Sequence, residues 1–173
     1  MLIDDFLPRY DAAKRHQTII NSPLENVYDA LRKTDFHVSF LIRLLTNIRG
    51  ISFPKHFEEI TRIGFILLAE KQNEEICFGI VGKFWTLGSD CIQIHSNEFR
   101  NFQQRGFAKA VLNFSFQSET ETVTLLKTET RILCFDSPSK IFFRLYWMLV
   151  SPFSSIIRKE MLRLIKTNAE KHP

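Results

Sequence analysis

Thr122–Phe135, TVTLLKTETRILCF, alternates in character along most of its length. Leu126, Thr128, Thr130, Ile132 and Cys134 fall on one side of a strand, and Lys127, Glu129 and Arg131 on the other. Just upstream, Phe107–Gln117 (FAKAVLNFSFQ) repeats the pattern, with Ala108, Ala110, Leu112, Phe114 and Phe116 on one face. The polar segment Ser118–Glu121 joins the two, so they form an antiparallel hairpin. Downstream, Asp136-Ser137-Pro138 makes a turn, and a helical pattern then runs almost to the end of the chain. Its apolar residues are Ile141, Leu145, Met148 and Leu149, then Ile156, Ile157, Met161, Leu164 and Ile165, with a kink expected at Pro152. Strands in the middle and a long helix at the end predict an α+β fold. In it a curved antiparallel sheet wraps the C-terminal helix and leaves an apolar cavity between them.

The flanking sequence supplies the rest of the sheet. Phe65–Lys71 and Glu75–Lys83 surround Gln72-Asn73-Glu74 and read as a second hairpin, with Gly79 and Gly82 marking a bend or bulge. A further strand is expected near Asp90–Ser96, and a first one at Lys14–Ile20. Ser22-Pro23-Leu24-Glu25 has the form of a helix start, with Ser22 as cap, Pro23 in the first turn and Glu25 reaching back. Leu24, Val27, Ala30 and Leu31 follow at helical spacing. A second helix restarts at Thr34 or Asp35, places Leu41, Leu44, Leu45 and Ile48 on one face, and ends at Gly50.

Composition narrows the function classes. The 173 residues suit one domain spanning 1–173, and 45% hydrophobic content argues against disorder. Seventeen Phe residues supply a thick core or an apolar pocket wall. A net charge of +4 is too small for a nucleic-acid footprint; Arg158, Lys159, Arg163, Lys166 and Lys171 are diluted by Glu160 and Glu170. Cys77, Cys91 and Cys134 are widely spaced, and His16, His37, His56, His95 and His172 show no ligand spacing, so no metal or cofactor is expected. The acidic start MLIDDFLPRYD lacks a signal-peptide form. The apolar stretch Ile141–Ile157 is interrupted by Arg144 and Pro152 and is too short for stable membrane insertion. The expectation is a soluble, cytoplasmic protein. No phosphate loop, dinucleotide fingerprint or hydrolase elbow is present.

Several local motifs are more specific than the layout: Phe78–Trp85 (FGIVGKFW), Lys127–Arg131 (KTETR), Phe143–Trp147 (FRLYW), and Ser151–Ser154 (SPFS) with Ile157-Arg158. Together with the order of elements they resemble a bacterial subgroup of the SRPBCC superfamily, which includes START lipid-transfer domains, birch-pollen-allergen-like proteins and polyketide cyclases. The resemblance covers about Lys14 to Glu170. It implies a helix-grip fold and a ligand cavity, and no particular reaction, because no enzyme motif of the superfamily matches here.

The candidate site follows from strand geometry. Phe114, Phe116, Thr128, Thr130 and Ile132 are expected to face the cavity from the sheet, and Tyr146, Met148 and Leu149 from the helix. Glu129 and Arg131 then lie on the outer face near Lys109; the reverse facing would bring them into the cavity as a buried pair. Arg144, in the apolar run, either snorkels or finds a carboxylate. Core packing is the plain alternative for each of these residues. The expected partner is a small hydrophobic or amphipathic molecule, bound or transported in the cavity. The alternative is a cyclase- or dehydratase-type enzyme acting in the same cavity, and a third reading is an interaction protein whose cavity has collapsed. A carboxylate with a strongly shifted pKa inside the cavity would favour the enzyme, and a lining with only hydroxyl, Tyr and Trp handles the carrier.

Overall fold

A computed structural model describes residues 1–48, 54–86 and 90–171. In chain order it contains α1 (Leu2–Phe6), β1 (Ala12–Ile20), α2 (Leu24–Lys33), a 3-10 turn (Phe36–Val38), α3 (Phe40–Ile48) and a longer 3-10 segment (Phe57–Ile63). There follow β2 (Ile66–Lys71), β3 (Glu75–Gly82), β4 (Cys91–Ile92), α4 (Ser96–Phe99), β5 (Ala108–Thr120), β6 (Val123–Cys134) and α5 (Ser137–Lys171). The sheet runs β1-β6-β5-β3-β2, every pairing is antiparallel, and β4 adds a short pair to β3. An open antiparallel sheet with two short helices after its first strand and a long terminal helix across one face is the helix-grip arrangement, as the sequence predicts.

The register decides which residues meet. Ile76, Phe114, Thr128 and His16 lie in one row across four strands, and Ile80, Ala110, Ile132 and Ala12 in another. Both rows point toward α5, because directly paired residues share a face. The second half of α5 fills this inner face. Ile157, Met161, Leu162, Ile165 and Ala169 are buried with Val27, Tyr28 and Leu31 of α2 and with Ile20, Leu112 and Leu126 of the sheet. Phe57 sets its ring edge-on to Phe78 and Phe114, with centroids 5.2 and 5.4 Å away.

Three local expectations are corrected. Ser22 does not cap α2; its hydroxyl is buried without a hydrogen-bond partner, Pro23 occupies the cap position, and the first helical bond runs from the Val27 amide to the Pro23 carbonyl. The turn expected at Asp136-Ser137-Pro138 is already the start of α5: Asp136 accepts the Ser139 amide at 2.8 Å and the Gly106 amide as well. The bulge expected at Gly79 lies across the ladder instead, where the β2 register shifts between Leu67 and Ala69. Gly79 serves a close approach: the Phe99 ring of α4 lies over it on the outer face. The predicted stop at Gly50 lies outside the described residues. α5 is assigned as one helix through Pro152.

Candidate functional site

Between the packed second half of α5 and Phe143 near its start, which is buried with Ala108, Ile132 and Cys134, helix and sheet leave a cavity of about 610 Å³. The residues explain the gap. Ala110, small and central, sits on the sheet floor beside Ile80 and Ile132, where β5 elsewhere carries Leu112, Phe114 and Phe116. From the helix come Phe143, Tyr146, Trp147, Val150, Ser154, Ile157, Arg158 and Met161, whose spacing of three and four residues keeps one side of α5 turned inward. Phe143 stacks on Trp147 with centroids 5.5 Å apart. Thr46, Ile63, Phe65, Phe84 and Gln93 close the remaining wall.

The polar groups of this wall are Thr and Ser hydroxyls, Gln93, the Tyr146 and Trp147 handles, Cys91 and one guanidinium. Arg158 donates from Nη2 to Thr130 Oγ1 at 3.4 Å and has no carboxylate partner among the described residues. Burial lowers its pKa to about 10, so it remains a cation at neutral pH. Lys14 lies directly across from Thr130 on β1, and His16 is the next inward-facing residue. Burial, then the charges of Arg158, Lys159 and Lys14, hold His16 below the usual histidine range, and its Nε2 is buried without a partner. Among the described lining residues there is no Asp or Glu.

The expected site residues divide. Thr130, Ile132 and Tyr146 line the cavity. Phe114 and Phe116 do not; they are packed in the main core, Phe116 with its ring 5.4 Å from that of Tyr28. Thr128 faces inward but is 2% exposed, its hydroxyl donating to the Asn113 carbonyl at 2.8 Å, so it offers nothing to a ligand. Met148 and Leu149 are each 73% exposed on the far side of α5, and Ile141, Phe142 and Leu145 share that outer side. Arg144 is exposed and away from the wall. The error has a physical source. The first half of α5 is apolar nearly all round, so periodicity offers two stripes and only the packing selects between them. The inner stripe of Phe143, Trp147, Val150 and Ser154 is equally regular. Arg158 stands beside Ile157 and near Met161 in the sequence, but its only signal there is membership of a diluted basic cluster, which does not mark it as a wall residue.

The KTETR run takes the first of its two predicted facings, but not as a solvated charge pair. Glu129 and Arg131 lie on the outer face, yet both are buried, because α1 and the chain after it cover them. Arg131 binds Glu129 at 2.7 Å, Asp4 at 2.7 Å and the Leu7 carbonyl at 3.1 Å, and lies 4.9 Å from the centre of the Tyr10 ring. Arg15 adds a second contact to Glu129 at 3.0 Å. Burial raises the Glu129 pKa, but Arg131 and Arg15 outweigh it and hold it below the usual carboxylate range. Next to this pair, Asn113 links the Glu129 amide to the carboxylate of Glu75, which also accepts the Leu2 and Ile3 amides. Among the described residues Lys109 pairs with no carboxylate. It donates to the carbonyls of Phe99, Arg100 and Phe102. These contacts fasten the N-terminal segment and α4 to the sheet, and the cluster is structural.

Cys77 and Cys134 are buried, unbridged thiols. Burial pushes the Cys134 thiol up to about 12 and raises Cys77 and Cys91 as well, so none is an activated nucleophile. Among the described residues, no three His, Cys, Asp or Glu side chains gather closely enough to hold a metal ion, and no helix is long and apolar enough to cross a membrane.

The sequence matches no family profile and no curated protein. Solved structures with a similar chain path include a conserved protein from Geobacillus kaustophilus, 8% identical over 92% of this chain and 96% of that one, with a TM-score of 0.49. A point mutant of norcoclaurine synthase from Thalictrum flavum, bound to a transition-state analogue, is 8% identical over 93% of this chain and 95% of that one, TM-score 0.45. A START superfamily protein from Mycobacterium smegmatis is 7% identical over 93% of this chain and 99% of that one, TM-score 0.38. Similarity at this level says nothing of what this chain binds.

Proposed function

We propose that this protein is a single-domain carrier that binds a small hydrophobic or amphipathic molecule in the cavity between its sheet and α5. The observation that supports this reading is the wall itself: about 610 Å³ bordered by Phe65, Phe84, Phe143, Trp147 and aliphatic side chains, with a few polar handles. Ligand sites of this size are mostly apolar, and a few placed polar groups fix orientation. An enzyme of cyclase or dehydratase type would need an acid and a base facing the reacting atoms. The described wall holds no carboxylate, and its thiol has a raised pKa, so the carrier reading is favoured. The unbridged thiols of Cys77 and Cys134 fit a protein working in a reducing cytoplasm.

Titration with the neutral fluorescent probe N-phenylnaphthylamine tests the reading. The folded protein should bind it with one-to-one stoichiometry. Ala110→Phe, which places a ring on the cavity floor, should abolish binding while the protein keeps its circular-dichroism spectrum. A folded wild-type protein that leaves the probe in water would overturn the carrier reading.

A further inference from the structure

Elsewhere in this molecule, a buried cationic side chain has its counterpart supplied by the protein. Arg131 has Glu129 and Asp4, and Lys109 has three backbone carbonyls. Arg158, partly buried on the cavity wall, breaks the pattern. It is the one charged residue on the described cavity wall, and its partner is a neutral hydroxyl at a long 3.4 Å. The nearest acidic residue along α5, Glu160, is already taken by Arg163 and the Ser39 hydroxyl. Glu129, on the neighbouring sheet position, points to the opposite face. An unpaired, desolvated cation costs stability. Its surroundings raise that cost, since Lys14 is paired across from Thr130 and the charges of Arg158, Lys159 and Lys14 all act on His16. Lys14 and Lys159 likewise show no ion-pair partner among the described residues. A positive corner without a carboxylate opens here onto an apolar chamber.

We infer that the ligand of this cavity is an apolar molecule carrying one anionic oxygen group, a carboxylate or a phosphate, which pairs with Arg158 and accepts from the Thr130 hydroxyl. This rests on the binding reading above and adds the sign of the ligand's charge and the end of the cavity that holds it. A guanidinium presents two parallel N–H groups to either kind of head. Thr130 accepts from Arg158, which leaves its own proton to donate. The apolar body of the ligand then extends over Ile132 and Ala110 toward Phe143 and Trp147.

Calorimetric titration with dodecanoate, dodecyl phosphate and dodecanol separates the possibilities, because the three share one tail. At least one of the two acids should bind about 10–100-fold more tightly than the alcohol, the range expected of a hydrogen-bonded charge pair. Which acid is preferred identifies the head. Arg158→Gln should bring acid and alcohol to within about twofold of each other, and Arg158→Lys should keep part of the preference. Removing an unpaired charge should not lower the melting temperature, and that measurement verifies that the variants are folded. If the alcohol binds the wild type as well as both acids do, or if Arg158→Gln keeps the full preference, the inference is wrong and the cavity still binds. If none of the three binds, the binding reading itself falls and takes the inference with it.

Discussion

At Gly79 the outer face of β3 meets α4 so closely that an added Cβ would lie 2.6 Å from the Phe99 ring and 2.9 Å from Leu68. Phe99 is fully buried and has no room to swing aside. Gly79→Ala should therefore destabilise the protein by about 1–3 kcal/mol, although the same change in an open strand would be mildly favourable. A urea midpoint that falls with an unchanged slope would show this, and an unchanged midpoint would mean that the ring yields. His16 invites a different measurement. Its folded pKa lies below the ordinary value of 6.5, so the unfolded chain takes up a proton first as the pH drops. Stability should be flat with respect to this group above about pH 6.5, fall below it, and level off once the folded histidine is also protonated. His16→Gln should remove that segment of the stability curve and leave the steeper loss at lower pH, where Asp4 and Glu129 titrate from their depressed values. An identical curve in the variant would contradict the assignment.

Among the elements, α5 is the one whose two halves obey different rules. Phe143 is 2% exposed and Leu145 59%, two residues along one apolar run. Phe143→Ala should cost about 3–5 kcal/mol, and Leu145→Ala less than about 0.5, measured by chemical denaturation. Equal costs would mean that α5 is rotated from the position described. The strands were far more legible than this helix. In β5 and β6 the charged residues recur on one side only, so Ala110, Thr130 and Ile132 could be assigned to the inner face from alternation alone. The second cover on the outer face was not visible in the same way. It comes from α1, five residues long and too short to show a period, folded onto strands far away in sequence. The burial of Glu129 and Arg131 belongs to that long-range contact, and no local pattern in KTETR contains it. The cavity was legible as a layout. Its position along α5 was not, because it depends on where the small Ala110 interrupts a row of larger side chains.

Across the whole molecule, the sheet has two covered faces: the inner one under α2 and α5, and the outer one under α1 and α4. Removing residues 2–10 should strip Glu75 of its two amide donors and Arg131 of Asp4 and Leu7, and bare the apolar surface beneath Ile3 and Leu7. Losing one side of a buried charge network costs roughly 3–5 kcal/mol, so the truncated protein should melt well below the full chain. Hydrogen exchange should quicken first at residues 75, 113 and 129, and unchanged protection there would show that the segment is not what fastens the outer face. The strand order has a further consequence, during synthesis. Among the described residues β1 pairs only with β6, so residues 12–20 have no strand partner until about a hundred further residues have been made. At ordinary rates of translation that is roughly 5–20 s in which the sheet lacks its first edge. Through that interval Ile20, wholly buried at the end, has no strand beside it. Residues 12–20 are thus a stretch that a chaperone has reason to hold until the sixth strand emerges.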